Sequence, residues 1–253
     1  MTSPAFSGWH DDGMTAGPGS DSLSGWLLDE VAFAGRENLD ADHVARYDGK
    51  EDAGATEEVA LLRRLGLTGS SVVIDLGAGT GQFALAVASS CARVIAVDVS
   101  AVMLDLLRVK VARMGLRNVE VMQAGFLTYA HTGEPADFAY SRYALHHLPD
   151  AWKAVALVRL RRVLRPGGLL RLWDIVYDFA PAETEERLEA WCATGGDGGA
   201  GEWSRTDLEE HVRDEHSTFS WLLEPMIRRA GFVIEEALHS TDGISARYIL
   251  RAT

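Results

Sequence analysis

The sequence has little cysteine, no long apolar run and no excess of positive charge, and each absence narrows the class of protein. Cys91 and Cys192 are the only cysteines among 253 residues, too few for a disulfide framework, so we expect a cytoplasmic protein. No apolar run approaches the roughly 18 residues of a membrane helix. No basic segment followed by an apolar one stands near the N-terminus, so we predict neither a membrane association nor a signal peptide.

The charge is negative and unevenly distributed. The formal net charge of −13 at pH 7 argues against a nucleic-acid partner. Residues 1–60 carry 13 acidic and 3 basic side chains, and residues 178–215 carry 12 and 3. Two interpretations stand: both segments are solvated surfaces, or both cover an active site and disfavour anionic ligands. The second favours a neutral or cationic small-molecule partner.

Apolar runs alternate with helical patterns along most of the chain. Strands are predicted at 72–75, 93–98, 119–122, 136–140, 169–176, 232–237 and 244–250, and helices at 57–67, 82–88, 101–114 and 151–164. This alternation predicts an α/β fold, in which helices cover both faces of a doubly wound parallel sheet.

Capping signals place several helix boundaries. Thr56 is a candidate N-cap for the helix at 57–67, and Ser100 for the helix at 101–114, which ends at Gly115. Thr206-Asp207-Leu208-Glu209 has the pattern of a capping box, which predicts a helix from 207 towards Leu223.

The chain divides into a cap and a larger domain. We predict an N-terminal arm and helical cap at 1–54 and an α/β domain at 55–253, in which 177–224 is an insertion after the fifth strand. Residues 1–25 are rich in Gly, Ser and Asp and predict a loose arm, followed by short helices at 26–34 and 40–48.

The stretch Val72 to Leu85, VVIDLGAGTGQFAL, is a strand, a glycine turn and a helix start. Its glycines do not follow the G-x-G-x-x-G spacing of a dinucleotide site, and no Gly-Lys-Ser/Thr of a P-loop follows. No basic residue lies between Asp75 and Ser90, so an ammonium or sulfonium would find a better partner here than a pyrophosphate. Asp98, at the end of the second strand, has the position of an acid that binds a ribose diol.

Asp75-Leu76-Gly77-Ala78-Gly79-Thr80-Gly81 resembles the first motif of the class I S-adenosylmethionine-dependent methyltransferases. Ala96 to Ser100, Ser141 to Asp150 and Leu164 to Gly168 resemble later motifs of that family, in the right order and spacing. The resemblance covers about 55–176 and the closing strands. It implies S-adenosylmethionine as cofactor, bound at one edge of a Rossmann-like seven-stranded sheet whose last strand is antiparallel.

The resemblance also implies roles for individual residues. Asp75 would orient the cofactor's amino group, directly or through water, and Asp98 would hold its ribose. The other cofactor-binding residues that it implies are Tyr47, Gly77, Ala78, Gly79, Gly81, Val99, Met103, Gly125, Phe126, Ser141 and Arg142. Many relatives carry an acid after the third strand to bind the adenine amine. Gln123-Ala124-Gly125-Phe126 has none, so we expect backbone groups and Phe126 to bind adenine.

Two histidines follow the fourth strand, where the methyl group is expected. Similar small-molecule O-methyltransferases imply a base at the first histidine of such a pair, which is His146, ahead of His147, with Asp174 in support. The alternative is that both histidines only shape the pocket. Adjacent residues on a turn rarely point the same way, so we expect no metal at this pair. His211 and Glu215 are four residues apart and form either an exposed ion pair or a wall of the acceptor pocket.

The sequence therefore predicts a methyltransferase that acts on a hydroxyl group of a small molecule. Two alternatives stay open. The first is a protein of the same fold that binds S-adenosylmethionine but catalyses a cyclisation or isomerisation. The second is a nucleotide-binding regulatory protein. The sequence leaves a homodimer open.

Overall fold

The apolar runs form one twisted sheet. The computed structural model describes residues 25–35, 38–40, 44, 54–197 and 203–253. The strands are β1 (Val72–Leu76), β2 (Arg93–Asp98), β3 (Val119–Gln123), β4 (Ala136–Arg142), β5 (Leu164–Tyr177), β6 (Thr218–Phe219), β7 (Phe232–His239) and β8 (Ser245–Ala252). Seven of them lie in the order β3-β2-β1-β4-β5-β8-β7, and the two-residue β6 pairs with the end of β5.

The direction of the strands confirms the predicted Rossmann-like architecture. Strands β1 to β5 run parallel to one another. The last strand, β8, is antiparallel to both of its neighbours, β5 and β7. The carboxyl ends of the first four strands therefore meet at one edge of the sheet, where ligands bind in open α/β folds.

Helices cover both faces of the sheet. They are α1 (Ala55–Arg64), α2 (Gln82–Val87), α3 (Ala101–Arg113), α4 (Asp150–Val163), α5 (Thr184–Cys192), α6 (Arg205–Asp214) and α7 (Ser220–Arg229). Successive strand residues such as Val73 and Ile74 enter opposite cores. Burial on both faces explains why the strands read as continuous apolar runs. Among the described helices, none combines the length and hydropathy needed to cross a bilayer.

Two predictions near the N-terminus are wrong: the helix at 26–34 and the N-cap of the helix at 57–67. The segment 26–34 forms only a 3-10 turn, Val31–Phe33, because the Asp29 carboxylate accepts the Val31 N–H and the Glu30 side chain turns inward. Helix α1 begins at Ala55, and its N-cap is Gly54 rather than Thr56. Most of the predicted arm at 1–25 and helix at 40–48 lies outside the described residues.

The predicted helix from 207 to 223 is in fact two helices. Helix α6 starts two residues early, because Ser204 and Asp207 form the capping box, and it ends at Asp214. Glu215 is extended, and the His216 N–H donates to the His146 carbonyl (3.0 Å). Strand β6 then fixes the chain to β5 before α7 begins. Tertiary hydrogen bonds therefore end a helix that local pattern would continue.

Other local predictions hold. The Ser100 hydroxyl caps α3 by accepting the Met103 N–H (3.2 Å). Gly115, after the end of that helix, has a φ of 64°, a conformation that favours glycine.

A buried ion pair that the sequence does not reveal joins α1 to the sheet. Arg171 on β5 donates from Nε to Glu58 Oε2 (2.7 Å) and from Nη2 to Oε1 (2.9 Å). Both side chains are buried. Two parallel hydrogen bonds satisfy the carboxylate, but removal of either partner would leave the other charge buried alone.

Glu58→Ala is expected to lower the free energy of unfolding by about 3–5 kcal/mol, because it leaves the Arg171 guanidinium uncompensated. Chemical denaturation measures this change. Glu120→Ala is the matched control, since Glu120 also binds an arginine through two bonds but at the surface, and its cost should be about 0–1 kcal/mol. A Glu58→Leu, Arg171→Met double variant should recover much of the loss. Equal losses in Glu58→Ala and Glu120→Ala would contradict this account.

Candidate active site

A cleft of about 630 Å³, counted with its open mouth, lies at the carboxyl ends of β1 to β4. Its lining includes nine of the residues predicted from the sequence: Gly77, Gly79, Asp98, Val99, Met103, Gly125, Phe126, Arg142 and His147. The topology brings these residues together because each follows or ends a parallel strand, or stands in the first turn of the helix after it.

Other predicted residues lie elsewhere. Tyr47 is outside the described residues. Six others do not line the cleft: Asp75, Ala78, Gly81, Ser141, His146 and Asp174. Sequence reasoning missed several lining residues, among them Glu30, Asn38 and Tyr143. Tyr143 has a positive φ of 48°, a strained conformation that is enriched at functional sites.

The glycine turn after β1 fits closely against its surroundings. The Gly77 and Ala78 N–H groups both donate to the Val97 carbonyl (2.9 and 3.0 Å), which fixes the turn on β2. Gly77 has a φ of 74°, and a Cβ there would lie 2.2 Å from the Ala144 Cβ. A residue with a side chain therefore cannot replace this glycine without moving the wall of the cleft.

Asp98 holds the turn from the other side. Its two carboxylate oxygens accept the N–H groups of Gly79 and Ser100 (2.8 Å each). Burial raises the pKa of Asp98, although these two hydrogen bonds oppose the change. Each oxygen of a carboxylate has a second lone pair. The oriented carboxylate can therefore also accept hydrogen bonds from a diol in the cleft.

Asp75 lies one layer behind the turn. Burial, reinforced by the charge of Asp98, raises the pKa of Asp75 to about 8. One of its carboxylate oxygens is buried and has no hydrogen-bond partner among the described residues. This position favours the indirect form of the predicted contact with an amino group, in which a water molecule intervenes.

The two histidines differ in environment. His147 lines the cleft, whereas His146 is buried behind it with carboxylates at both ring nitrogens. Its Nδ1 lies 2.5 Å from Asp174 Oδ1, and its Nε2 lies 2.9 Å from Glu215 Oε2. The Leu145 and His146 N–H groups donate to the other Asp174 oxygen (2.9 and 3.2 Å). These bonds fix the histidine turn to the end of β5.

Glu215 is the centre of this cluster, and the prediction of an exposed ion pair with His211 is wrong. The pair does form, with 2.6 Å between Glu215 Oε2 and His211 Nδ1, but each side chain is only 15% exposed. His147 Nδ1 lies 3.9 Å from the other Glu215 oxygen. The break between α6 and α7 brings Glu215 inward, which a continuous helix would not do.

The cluster separates the protonation states of the two histidines. Burial alone would lower the pKa of His146, but Asp174 and Glu215 outweigh it and raise this pKa to about 10. Burial lowers the pKa of His147 to about 3, and the His146 charge adds to the effect. Burial would raise the pKa of Glu215, but hydrogen bonds from His146 and His211 hold it well below its usual range. At neutral pH, His146 is therefore an imidazolium and His147 a neutral imidazole.

The same cluster is where a metal ion would have to bind among the described residues. Potential ligand atoms of His146, His147 and Glu215 lie within 4.8 Å of one another. The premise that adjacent histidines diverge is wrong here, since the two rings lie 4.4 Å apart. The absence of a metal at this pair stays a prediction. In the structure, the histidines and carboxylates of the cluster contact one another directly.

Comparison with known proteins identifies the family. A methyltransferase-domain model matches residues 73–168. An uncharacterized methyltransferase of Geobacillus thermodenitrificans is 34% identical over 167 residues, 66% of this chain and 71% of that protein. Another, from Anoxybacillus flavithermus, is 30% identical over 164 residues, which cover 65% of this chain and 70% of that protein. This chain belongs to the class I S-adenosylmethionine-dependent methyltransferases.

A solved methyltransferase structure agrees with this assignment at the level of the fold. The S-adenosylmethionine-dependent methyltransferase from Aquifex aeolicus superposes with a TM-score of 0.59 at 18% identity, over 85% of this chain and 99% of that one.

The cleft of this methyltransferase suits S-adenosylmethionine. The turn at Gly77 and Gly79 has no side chain to block a close approach, and Asp98 offers oriented acceptors for ribose hydroxyls. The orphaned oxygen of Asp75, at the end of β1 just before the same turn, can accept a hydrogen bond from an ammonium through a water molecule. Val99, Met103 and Phe126 line the same cleft and would offer apolar surface to an adenine ring.

Gly77→Ala is expected to weaken binding of S-adenosylhomocysteine by tenfold or more, on the order of 1.4 kcal/mol, because the added Cβ displaces Ala144. Calorimetric titration measures the dissociation constant. Gly115→Ala is the matched control, since Gly115 also has a positive φ but has nothing within 4 Å of an added Cβ. Its backbone strain should lower stability and leave binding unchanged. Equal affinities of the two variants would refute the steric argument.

Proposed function

We propose that this methyltransferase methylates a hydroxyl group of a small molecule, and that His147 accepts the proton which that hydroxyl loses. The supporting observation is its position: of the described histidines, only His147 lines the cleft. A carboxylate oxygen of Glu215 lies 3.9 Å from its Nδ1 atom.

The chemistry requires positioning more than activation. When bound, S-adenosylmethionine supplies an activated methyl group on a sulfonium. The glycine turn and Asp98 would hold the cofactor in a fixed position relative to His147. In-line displacement depends on such alignment between the methyl group and the acceptor oxygen. An alcohol acceptor adds one requirement, because its proton must leave as the carbon–oxygen bond forms.

The low pKa of His147 suits this requirement. A hydroxyl oxygen becomes strongly acidic as it gains a methyl group, so a weak base can take its proton late in the reaction. Burial and the neighbouring His146 cation keep His147 unprotonated at physiological pH. In this proposal His146 acts indirectly. It is held between Asp174 and Glu215, and its positive charge helps to lower the pKa of His147.

The geometry favours His147 over His146 as the base. The Nε2 atom of His146 faces Glu215, and its Nδ1 faces Asp174, so neither nitrogen points to the cleft. Proton transfer to His146 would require Glu215 to move away first. The alternative that both histidines only shape the pocket predicts little loss of turnover when His147 is replaced by a residue of similar size.

Charge supports a neutral or cationic acceptor. An acid stands beside the proposed base, because Glu215 lies 3.9 Å from His147 Nδ1. The insertion at 177–224 contributes Glu215 and also Trp191, whose ring lies 5.3 Å from that of His211. An aromatic and acidic surround of this kind favours an apolar or aromatic alcohol over an acid.

His147→Asn is expected to lower kcat for a phenolic acceptor about 100-fold, the range that general-base catalysis supplies, with the affinity for S-adenosylhomocysteine unchanged. A coupled assay of S-adenosylhomocysteine formation measures kcat. His131→Asn is the control, since His131 binds Tyr129 and does not line this cleft. Full turnover in His147→Asn would exclude the proposed base. An aniline methylated faster than the matching phenol would exclude the hydroxyl preference.

The rate should also show an unusual pH dependence. The basic form of His147 exists above its pKa of about 3, so kcat should stay flat from about pH 8 down to about pH 5. An ordinary histidine base would lose activity with a midpoint near 6.5, which is about the unperturbed value. Initial rates at saturating cofactor and acceptor measure this profile. A fall in kcat centred between pH 6 and 7 would indicate that another group accepts the proton.

A further inference from the structure

Glu30 is a buried acid at the cleft that the proposed chemistry does not use. It comes from the N-terminal segment before α1, and the residue is only 7% exposed. Its Oε2 atom accepts the Leu127 N–H (3.0 Å) and lies 3.3 Å from the Thr128 hydroxyl, which also donates to it. These contacts span about 97 residues of sequence. Burial raises the pKa of Glu30, so the position of this acid has an energetic cost.

The Glu30 carboxyl group fills the space beside Gly125. A Cβ built on Gly125 would meet the Glu30 carboxyl carbon at 2.3 Å and its two oxygens at 2.3 and 2.4 Å. These are the three nearest atoms, so the carboxyl group takes the place of a side chain at 125. An acid from a distant segment thus stands at the end of β3, where the local sequence Gln123 to Phe126 offers none.

This position borders the part of the cleft that is suited to a flat ring. Val99, Met103 and Phe126 provide apolar lining, and Asp98 ends the neighbouring strand β2. A nucleoside whose ribose binds Asp98 would extend its base towards Gly125 and Glu30. A carboxylate accepts hydrogen bonds and, when ionised, donates none. The matching group on a purine edge is an exocyclic amine.

We propose that Glu30 determines specificity for adenine by accepting a hydrogen bond from the exocyclic amine of the cofactor. The N-terminal segment then becomes part of the cofactor site, and cofactor binding fastens this segment to the turn at 125–128. This role is independent of the methyl acceptor and of the base, so it stands or falls separately from the proposed function.

A purely structural role for Glu30 is the competing explanation. Its bonds to Leu127 and Thr128 stabilise the turn whether or not a ligand is present. A structural role would make any loss of affinity equal for ligands with and without the amine. A recognition role would make the loss selective, and this difference can be measured.

The experiment compares two ligands by calorimetric titration: S-adenosylhomocysteine and its 6-deamino analogue, in which hydrogen replaces the exocyclic amine. The wild-type protein should prefer the amine by on the order of tenfold or more, as a hydrogen bond to a charged group provides. In Glu30→Ala the preference should fall to near one. Glu30→Gln keeps the shape of the side chain and should lower the preference in part, because a neutral acceptor binds more weakly than a carboxylate.

A rescue variant tests the geometry. Glu30→Ala removes all three atoms that crowd a Cβ at Gly125, so Gly125→Asp in that background should return a carboxylate to the same place and restore the preference. Asp29→Asn is the control within the segment, since Asp29 is exposed and bonds only its local turn among the contacts of the described residues. It should leave the preference unchanged. Thermal melting confirms that each variant is folded.

Two results would overturn the proposal. One is a wild-type protein that binds both ligands equally well. The other is a Glu30→Gln or Glu30→Ala variant that loses affinity for both ligands by the same factor, which would leave Glu30 a structural clamp only. If Glu30→Ala does not fold, the Glu30→Gln measurement decides between the two roles.

Discussion

The cofactor cleft depends on buried carboxylates that accept backbone N–H groups of turns at the sheet edge. Asp98 shows the principle: bonds from Gly79 and Ser100 join the turn after β1 to the start of α3. A loop alone could not hold the glycines in their positive-φ conformations against the cost of chain entropy. Because the carboxylate is buried, these bonds are stronger than exposed ones would be, and they fix the turn to its neighbours.

Two other carboxylates around the cleft also accept backbone N–H groups of turns, and they come from distant parts of the chain. Asp174 holds the histidine turn through the Leu145 and His146 N–H groups, and Glu30 holds the turn after β3 through Leu127. Glu30 and Glu215 come from the two acidic segments of the sequence. Those segments are therefore not solely solvated surfaces, since each sends one buried carboxylate to the site.

The histidine pair shows how tertiary contacts separate two identical side chains. His146 lies between two carboxylates and keeps its proton, while His147, with its ring centre 4.4 Å away, loses its proton because of burial and that neighbouring charge. Groups whose environments push their pKa values apart are a recurrent feature of acid–base sites. The arrangement gives the cleft a neutral imidazole supported by a charged cluster, His146, Asp174 and Glu215, that does not line the cleft.

The sequence by itself determined the strand pattern, the glycine turn, Asp98 and the Ser100 cap, because these depend on periodicity, backbone conformation and contacts between near neighbours. The tertiary structure decided the helix break at Glu215, the inward turn of Glu30 and which histidine faces the cleft. Each of these rests on hydrogen bonds between residues far apart in the chain, as between Glu30 and Leu127. Local helix propensity differs by less than about 1 kcal/mol per residue for most side chains, so such contacts override it. No local sequence pattern predicts these contacts.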